Sequence, residues 1–301
     1  MQELRFDGRS VIVTGAGRGI GREYALLLAA RGAAVVVGDL GASTDGSGVD
    51  GDDPASAVAS EITAAGGRAV SCGADVSREE GARALVDSAL DSFGHLDAVI
   101  NNAGIVRTAG FLDVSDDEYQ RHLDVHYFGS LRVSRAAWPH LVASGKGRIV
   151  NTVSAAMLGN PMMTHYGSSK AAVFGLTRNL AIEGLDAGIK VNAIAPGAGT
   201  RMAEASAGSL SPEILDYLMN SLRPEFVAPM GAYLVHPSST VTGEVFTVAG
   251  GAVKRLAMLN TVGITEPDLS VESIASRFDE IMSITPDAVA QIIETQQVPA
   301  T

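Results

Sequence analysis

Tyr166 and Lys170 lie four positions apart in the segment Tyr-Gly-Ser-Ser-Lys, within a run whose pattern predicts a helix. Side chains at positions i and i+4 of a helix share one face, so this spacing brings the phenol and the ammonium together. At about 4 Å and an effective dielectric constant of about 20, an ammonium stabilises a phenolate by about 4 kcal/mol, or about three pKa units. The pair therefore predicts an acid–base catalyst with a lowered phenol pKa. Ser154, at the end of the preceding predicted strand, is placed to hydrogen-bond a substrate oxygen.

A glycine-rich turn, Thr-Gly-Ala-Gly-Arg-Gly-Ile-Gly at residues 14–21, separates a predicted strand from a predicted helix. Glycines let a pyrophosphate approach the backbone there, and the free N–H groups and dipole at the helix start attract the anion. Asp39 ends the next predicted strand. A carboxylate there accepts hydrogen bonds from the ribose hydroxyls and repels the 2′-phosphate of NADP, so Asp39 favours NAD. Arg18 favours NADP, because a cation in the turn can hold that phosphate. Taken together with this turn, the pair of Tyr166 and Lys170 indicates a catalytic site rather than an ordinary solvated helix face.

The composition argues against several other classes of protein. The 301 residues carry 22 Lys and Arg against 34 Asp and Glu, and a net charge of −12 repels a phosphate backbone, so we expect no nucleic-acid binding. No apolar run approaches the roughly 18 residues that span a bilayer, and no Cys/His cluster has metal-ligand spacing. We therefore expect no bound metal. Because Cys72 is the single cysteine and cannot form an intramolecular disulfide, we expect a cytoplasmic protein.

Short β-branched runs alternate with helical patterns along most of the chain, which predicts βαβ units and an α/β fold with a Rossmann-type, doubly wound parallel sheet. Ser77 and Ser115 each begin a Ser-x-x-Glu capping box at the start of a predicted helix. The predicted helices cover Gly21–Ala30, 77–93, 115–138 and Thr164–Leu185. The seven predicted strands are Ser10–Thr14, Ala33–Asp39, Arg68–Gly73, Leu96–Asn101, Gly147–Val153, Ile189–Ala195 and Glu244–Val248.

Five segments in chain order resemble the motifs of the short-chain dehydrogenases/reductases: residues 14–21, Asn101-Asn102-Ala103-Gly104, Ser154, Tyr166 to Lys170, and Pro196-Gly197. The resemblance covers about residues 5–251 and implies one NAD-binding domain over residues 1–251, with strand order 3-2-1-4-5-6-7. It implies that Tyr166 is the general base, that Ser154 orients the reacting oxygen, and that Lys170 lowers the Tyr166 pKa and holds the nicotinamide ribose. The cofactor site that it implies comprises Gly15, Arg18, Gly19, Ile20, Gly21, Asp39, Asp75, Val76, Asn102, Ala103, Gly104, Tyr166, Lys170, Pro196, Gly197 and Thr200.

His126 stands in the long central helix, where this family usually has an asparagine. We include His126 among the catalytic candidates, since its carbonyl or its ring would support a proton-relay water. The other interpretation of a helix histidine is a simply packed side chain. Both interpretations stay open at the level of the sequence.

Shorter segments, among them 181–184 and 223–229, resemble the (3R)-hydroxyacyl-CoA dehydrogenase units of peroxisomal multifunctional enzymes, which also act on hydroxysteroids. This likeness implies NAD-dependent oxidation of a secondary alcohol in a lipid-like substrate, an acyl-CoA or a steroid, by a homodimer or homotetramer. One alternative is an NADPH-linked carbonyl or ketoacyl reductase, which Arg18 favours. Another is a non-catalytic NAD-sensing or scaffold protein.

Three further segments have two interpretations each. The polar loop Gly41–Ala55 is either a mobile surface loop or a neighbour of the cofactor. The predicted lid 198–222 either forms an apolar channel or packs as an ordinary lid, and the extension 252–301, with a helical patch at Val271–Ile284, packs on the domain or on a partner subunit. The apolar lid residues are Met202, Leu210, Ile214, Leu218 and Met219, and the candidate cations for CoA phosphates are Arg201, Arg223, Lys254 and Arg255.

Overall fold

The computed structural model describes residues 3–48, 51, 53–205 and 211–290. The strands of the sheet are short, and most of them are rich in Val, Ile and Ala, as buried parallel strands are. They are β1 Ser10–Thr14, β2 Ala34–Gly38, β3 Arg68–Cys72, β4 Ala98–Asn101, β5 Arg148–Thr152, β6 Lys190–Gly197, β7 Val245–Ala249 and β8 Ala252–Leu256, with a separate pair formed by β9 Leu259–Asn260 and β10 Val289–Ala290. The helices are α1 Gly19–Ala30, α2 Pro54–Ala64, α3 Glu79–Phe93, α4 Asp116–Leu123, α5 Gly129–Ala143, α6 Thr164–Glu183, α7 Arg201–Ala205, α8 Pro212–Ser221, α9 Ala228–Val235, α10 Val271–Ser276 and α11 Phe278–Met282.

Helices cover both faces of the sheet, because alternate residues of each strand point to opposite sides. On one face, Val11 and Val13 of β1 pack with side chains of α1, α2 and α9. On the other face, Ile12 of the same strand packs with side chains of α3, α5 and α6. The predicted doubly wound α/β fold is confirmed.

The main sheet has the strand order β3-β2-β1-β4-β5-β6-β7-β8. Its first seven strands are parallel and follow the order that the family resemblance implies. The eighth strand is an addition to the predicted seven: β8 pairs antiparallel with β7, with Ala252 opposite Ala249 and Leu256 opposite Val245. The turn between them contains two glycines at positive φ. The first residues of the predicted C-terminal extension therefore continue the sheet.

The predicted long helix that follows Ser115 contains a π-helical turn. Ser115 and Glu118 form the predicted capping box at the start of α4. Residues Asp124–Phe128 then form a single π-turn before α5 begins. Such turns insert one residue into a helix and frequently occur at functional sites. This one contains His126.

Two regions differ from the predicted helices. The capping box predicted at Ser77 is wrong: α3 begins at Glu79, and the Ser77 N–H donates to the Asp75 carboxylate at 2.8 Å. The Asp75 side chain thus shapes a turn before the helix instead. Helix α2 lies outside the predicted helices: it is capped by Asp53 and begins at Pro54, so the predicted polar loop Gly41–Ala55 extends two residues too far.

The described part of the predicted C-terminal extension is mostly exposed. The helical patch Val271–Ile284 forms two short helices, α10 and α11, and the side chains of Phe278 and Met282 are more than half exposed. Within the ranges described, no helix is long and apolar enough to cross a membrane.

Candidate active site

Parallel strands place their carboxyl ends along one edge of the sheet, and the predicted site residues follow those ends. The glycine turn follows β1, Asp39 follows β2, Asn102 follows β4, and Ser154 lies just beyond β5. Ligands of open parallel sheets bind in the crevice at this edge.

The glycine turn needs its glycines for conformation and for space. Gly15 and Gly19 have φ angles of 63° and 53°, in the left-handed region that residues with side chains rarely adopt. At Gly21, an added Cβ atom would lie 2.1 Å from the Gly15 carbonyl oxygen and 2.5 Å from the Asn102 amide nitrogen. Helix α1 therefore starts close against the turn. Its first turn contains no acidic residue, so the positive end of its dipole is available to an anion in the crevice.

Asn102 holds the glycine turn in place. Its side-chain amide donates to the carbonyl oxygens of Thr14 and Gly15 at 3.0 and 3.1 Å. The Thr14 hydroxyl accepts the backbone N–H groups of Asn102 and Ala103, both at 3.0 Å. Asn102 lines the predicted cofactor cavity, and these hydrogen bonds also make it a structural link between β4 and the turn.

The Asp39 carboxylate is fixed by two backbone groups. One oxygen accepts the Gly17 N–H at 2.9 Å, and the other accepts the Gly41 N–H at 2.8 Å. Since a carboxylate offers about four lone-pair positions, these bonds set its orientation and leave capacity to accept ribose hydroxyls. Arg18 and Arg78, which was not predicted for the site, are among the cations that line the same cavity.

The structure brings Ser154, Tyr166 and Lys170 together. Tyr166, in the first turn of α6, lies close enough to the Ser154 side chain for that hydroxyl to lower the pKa of the phenol. Lys170, one turn later, has its Nζ atom 5.8 Å from the centroid of the Tyr166 ring and donates to the Thr152 carbonyl oxygen at 2.8 Å. The three side chains therefore share one end of the crevice, as the spacing predicts.

Burial reverses the pKa shift that the sequence predicts for the phenol. Desolvation raises the pKa of Tyr166, and the nearby Ser154 hydroxyl offsets only part of that rise. Desolvation also lowers the pKa of Lys170 to about 7, so that near neutral pH its amine is only partly charged. The Tyr166 pKa therefore lies above its ordinary value, opposite to the direction that the pair predicts, and burial is the largest cause, while the effect of Lys170 itself stays a prediction.

His126 lies behind the cavity wall. Its ring is 1% exposed and packs edge-on against Tyr166, with ring centroids 5.4 Å apart. The Ile105 N–H donates to its Nε2 atom at 3.0 Å, and its Nδ1 atom lies 2.7 Å from the Ser169 hydroxyl. Burial, followed by the positive charge of Lys170, lowers the His126 pKa well below its ordinary value. The ring is therefore neutral and has no nitrogen left for a relay water.

A single cavity of about 1080 Å³ contains most of the predicted site. All of the predicted site residues line it except Gly21, which packs beneath the turn, and His126. Four polar residues of α4 and the π-turn also line it and were missed, although their i, i+3, i+4 and i+7 spacing is typical of one helix face. These four residues are Asp117, Gln120, Arg121 and Asp124.

Residues 41–48 of the polar loop lie beside this cavity. Most of them line the cavity wall, and the Val106 N–H donates across to the Thr44 carbonyl oxygen at 2.7 Å. A Cβ atom on Gly46 would lie 3.1 Å from Ile105 and 3.3 Å from the Arg121 side chain. These contacts favour the interpretation of the loop as a neighbour of the cofactor.

Two of the candidate apolar lid residues line the cavity. Met202 of α7 and Leu218 of α8 line it, whereas Ile214 is half exposed and Met219 is not among the lining residues. Leu210 lies outside the described residues. The lid therefore supplies an apolar wall on one side of the crevice.

Of the cations considered for CoA phosphates, Arg201 lines the cavity. Arg223 instead pairs with Glu225 at 3.1 Å, and Arg255 pairs with Glu244 at 2.6 Å. Arg201 is therefore the member of this set that the structure places at the crevice.

Comparison with known proteins decides the family. The model of the short chain dehydrogenase family matches residues 9–208. The chain belongs to the short-chain dehydrogenases. A short-chain type dehydrogenase/reductase of Mycobacterium tuberculosis is 42% identical over 284 residues, which cover 94% of this chain and 96% of that protein.

Two further relatives have names that describe their activities. Peroxisomal multifunctional enzyme type 2 of Mus musculus is 40% identical over 97% of this chain, and the match covers 39% of that longer enzyme. A solved structure of 7 alpha-hydroxysteroid dehydrogenase complexed with NADH and 7-oxo glycochenodeoxycholic acid aligns with a TM-score of 0.72 and 35% identity, over 83% of this chain and 98% of that one. This short-chain dehydrogenase is therefore an oxidoreductase.

Short-chain dehydrogenases use nicotinamide cofactors, and the crevice of this one fits such a group. The glycine turn leaves room for a pyrophosphate at the start of α1, and the oriented Asp39 carboxylate stands at the end of β2 for a ribose. Among the residues that the structure describes, no group of three or more His, Cys, Asp or Glu is arranged to hold a metal ion.

Proposed function

We propose that this short-chain dehydrogenase oxidises a secondary alcohol to a ketone with NAD⁺. The observation that carries the proposal is that Asp39 lines the same cavity as Ser154, Tyr166 and Lys170. A carboxylate at the end of the second strand accepts ribose hydroxyls and repels the additional phosphate of NADP. Arg18, which also lines the cavity, favours the alternative of an NADPH-linked carbonyl or ketoacyl reductase.

Tyr166 is the general base of the proposed reaction. Its phenolate takes the hydroxyl proton of the alcohol and becomes the phenol, while the Ser154 hydroxyl, in the same cavity, holds the reacting oxygen. Lys170 provides positive charge near the phenolate, in a buried place where the attraction is stronger than in water. Bound NAD⁺ supplies the hydride acceptor, held by the glycine turn, Asp39 and the loops that follow β3, β4 and β6.

We propose a 3-hydroxyacyl-CoA as the substrate class. The match to the multifunctional enzyme, at 40% identity over 97% of the chain, supports this class, and Arg201 at the cavity offers a cation for a CoA phosphate. A hydroxysteroid is the second candidate, supported by the similarity to 7 alpha-hydroxysteroid dehydrogenase. The apolar lid wall formed by Met202 and Leu218 suits either lipid-like substrate.

An absorbance assay for NADH at 340 nm tests the proposal. Purified protein is given NAD⁺ or NADP⁺ with a panel of 3-hydroxyacyl-CoA thioesters and hydroxysteroids. We expect thioester-dependent NADH formation that is lost in Tyr166→Phe and kept in Tyr233→Phe, since Tyr233 is a partly exposed residue of α9 outside the cavity.

Three other outcomes would each change the proposal. Turnover of steroids alone would replace the substrate class, and a preference for NADP⁺ would replace the cofactor. Cofactor binding without turnover of any alcohol, together with unchanged cellular function of Tyr166→Phe, would support the non-catalytic NAD-sensing or scaffold protein.

We further propose a cytoplasmic homodimer or homotetramer. The single cysteine, Cys72, suits a reducing compartment. The proposed contact surface is formed by α5 and α6, whose ends expose apolar side chains at Val142 and Ile182. Fractionation of cells and light scattering test the two parts of this proposal separately.

A further inference from the structure

A chain of three hydrogen bonds joins the cavity wall to the helical turn that carries Tyr166. The Ile105 N–H donates to His126 Nε2 at 3.0 Å. A neutral imidazole has one acceptor nitrogen and one N–H, so Nδ1 carries the hydrogen and donates to the Ser169 hydroxyl, 2.7 Å away. Ser169 in turn donates to the Tyr166 carbonyl oxygen at 2.8 Å. Each donor and acceptor in this chain is used in a consistent direction.

This hydrogen-bond chain is buried away from water and passes close to the amine of Lys170. His126 is 1% exposed and Ser169 is fully buried. A Cβ atom on Gly104 would lie 3.1 Å from His126 Nε2 and 3.6 Å from Lys170 Nζ, so both groups contact the same short stretch of the cavity wall. Buried polar groups that lose their partners are costly, so each link constrains the next.

The surroundings of the His126 ring keep it neutral. The titratable groups that disfavour its protonation are Lys170, His122 and His165, and the ring also packs against the Tyr166 phenol. An imidazolium would carry hydrogen on both nitrogens and would break the bond that Nε2 accepts from Ile105. The neutral Nδ1–H tautomer is the form that fits every contact.

We propose that His126 and Ser169 are positioning residues for Tyr166. They hold the first turn of α6 against Gly104 and Ile105, so that the phenol keeps its distance from Ser154 and from the reacting oxygen. They exchange no proton with the substrate, which distinguishes this role from that of a relay. The inference deepens the proposed alcohol oxidation and rests on it.

Four variants test the inference in the NADH assay. His126→Phe keeps the ring and its edge-on contact but removes both hydrogen bonds, and Ser169→Ala cuts the chain at the hydroxyl. His126→Gln retains one acceptor and one donor. Ser168→Ala, on the exposed side of the same helical turn, is the matched control.

We expect kcat to fall at least about tenfold in His126→Phe and in Ser169→Ala, with the KM for NAD⁺ unchanged, because a displacement of reacting groups by about 1 Å costs up to about 100-fold in rate. His126→Gln should recover part of that loss. The double variant His126→Phe/Ser169→Ala should be no slower than the slower single variant, since both changes cut one chain. Additive losses, an effect on KM alone, or equal rates for the Gln and Phe variants would overturn the inference.

A measurement without turnover separates this inference from the proposed function. In protein labelled with 15N-histidine, the His126 signals, assigned by their loss in His126→Phe, should report the neutral Nδ1–H tautomer from about pH 5 to about pH 8. The Nδ1 signal should shift in Ser169→Ala. A charged ring or the Nε2–H tautomer overturns the positioning chain whatever the activity. The expected tautomer in a protein that oxidises no alcohol overturns the proposed function instead.

Discussion

We propose that Asp39 selects NAD⁺ over NADP⁺ in the reaction, and its removal tests that role. We expect Asp39→Ala to lower the preference for NAD⁺ over NADP⁺, because the variant loses acceptors for the ribose hydroxyls and a charge that repels the 2′-phosphate. Hydrogen bonds to a charged group contribute about 1.5–3 kcal/mol, so the ratio of the two kcat/KM values should fall about 10- to 100-fold. Asp87→Ala is the control, since Asp87 is an exposed residue of α3 outside the cavity. An unchanged ratio would contradict the assignment of Asp39.

Lys170 makes stability depend on pH above neutrality. Burial lowers its pKa from 10.5 to about 7, so the folded protein binds fewer protons than the unfolded chain between those values. Below about pH 7 the buried lysine destabilises the folded protein, and this penalty decreases as the pH rises toward 10.5. Relative to Lys170→Met, the free energy of unfolding of the wild type should rise by roughly 1 to 4 kcal/mol between pH 7 and pH 10. Urea titrations of both proteins at the two pH values measure it, and a constant difference would refute it.

The sequence is sufficient to predict which candidate catalytic side chains come together, but not the protonation equilibria of those side chains. The i, i+4 spacing of Tyr166 and Lys170 predicts their common face, and the structure brings them together with Ser154. The direction of the Tyr166 pKa depends on how much water surrounds the phenol, which is a property of the packed molecule. The two roles left open for His126 likewise depend on Ile105 and Ser169, which only folding brings to its ring.

At the level of elements, α4, the π-turn and α6 are joined by a cluster of buried imidazoles. The rings of His122 and His165 lie 4.4 Å apart at right angles, and those of His122 and His126 lie 5.7 Å apart. Burial is the largest cause of the lowered pKa at all three, and the pKa of His122 falls to about 3. The contact between these helices therefore requires neutral rings.

This cluster makes the helix contact sensitive to acid. Between about pH 3 and pH 6.5 the unfolded chain binds a proton at His122 that the folded protein does not, so stability falls as pH decreases through this range. We expect the wild type to lose roughly 1 to 4 kcal/mol more than His122→Phe between pH 7 and pH 4. Chemical unfolding at both pH values provides the comparison, with His140→Gln, outside the cluster, as the control. Parallel profiles for wild type and His122→Phe would show that the cluster does not titrate in this way.

Most elements of the fold are predictable, and those that are not have local causes. The alternation of buried strands and helices predicts seven strands, and the family resemblance implies the order in which the structure arranges them. The π-turn at Asp124–Phe128 cannot be predicted from the sequence, because one inserted residue leaves the apolar pattern of the helix almost unchanged. Helix α2 is not predicted because its start lies inside the polar loop. Strand β8 is not predicted because it is exposed along most of its length and lacks the pattern of a buried strand.

At the scale of the whole molecule, apolar side chains at the ends of α5 and α6 support association. Val142, Ile182 and Leu185 are each between 42% and 44% exposed. We expect light scattering to give twice or four times the 31.0 kDa of one chain, and Ile182→Glu to shift the mass toward the monomer, because a buried unpaired charge is unfavourable. Leu4→Glu, at a distant exposed position, should leave the mass unchanged. A wild-type mass of about 31 kDa would refute the proposed oligomer.

The antiparallel strand β8 also affects the tendency of the molecule to aggregate at high protein concentration. It forms one border of the sheet, it is exposed along most of its length, and it carries Lys254 and Arg255. A charged border strand is a poor template for strands of other molecules. Fibril growth from this side of the sheet is therefore disfavoured, and concentrated solutions of the enzyme are protected against one common route to aggregation.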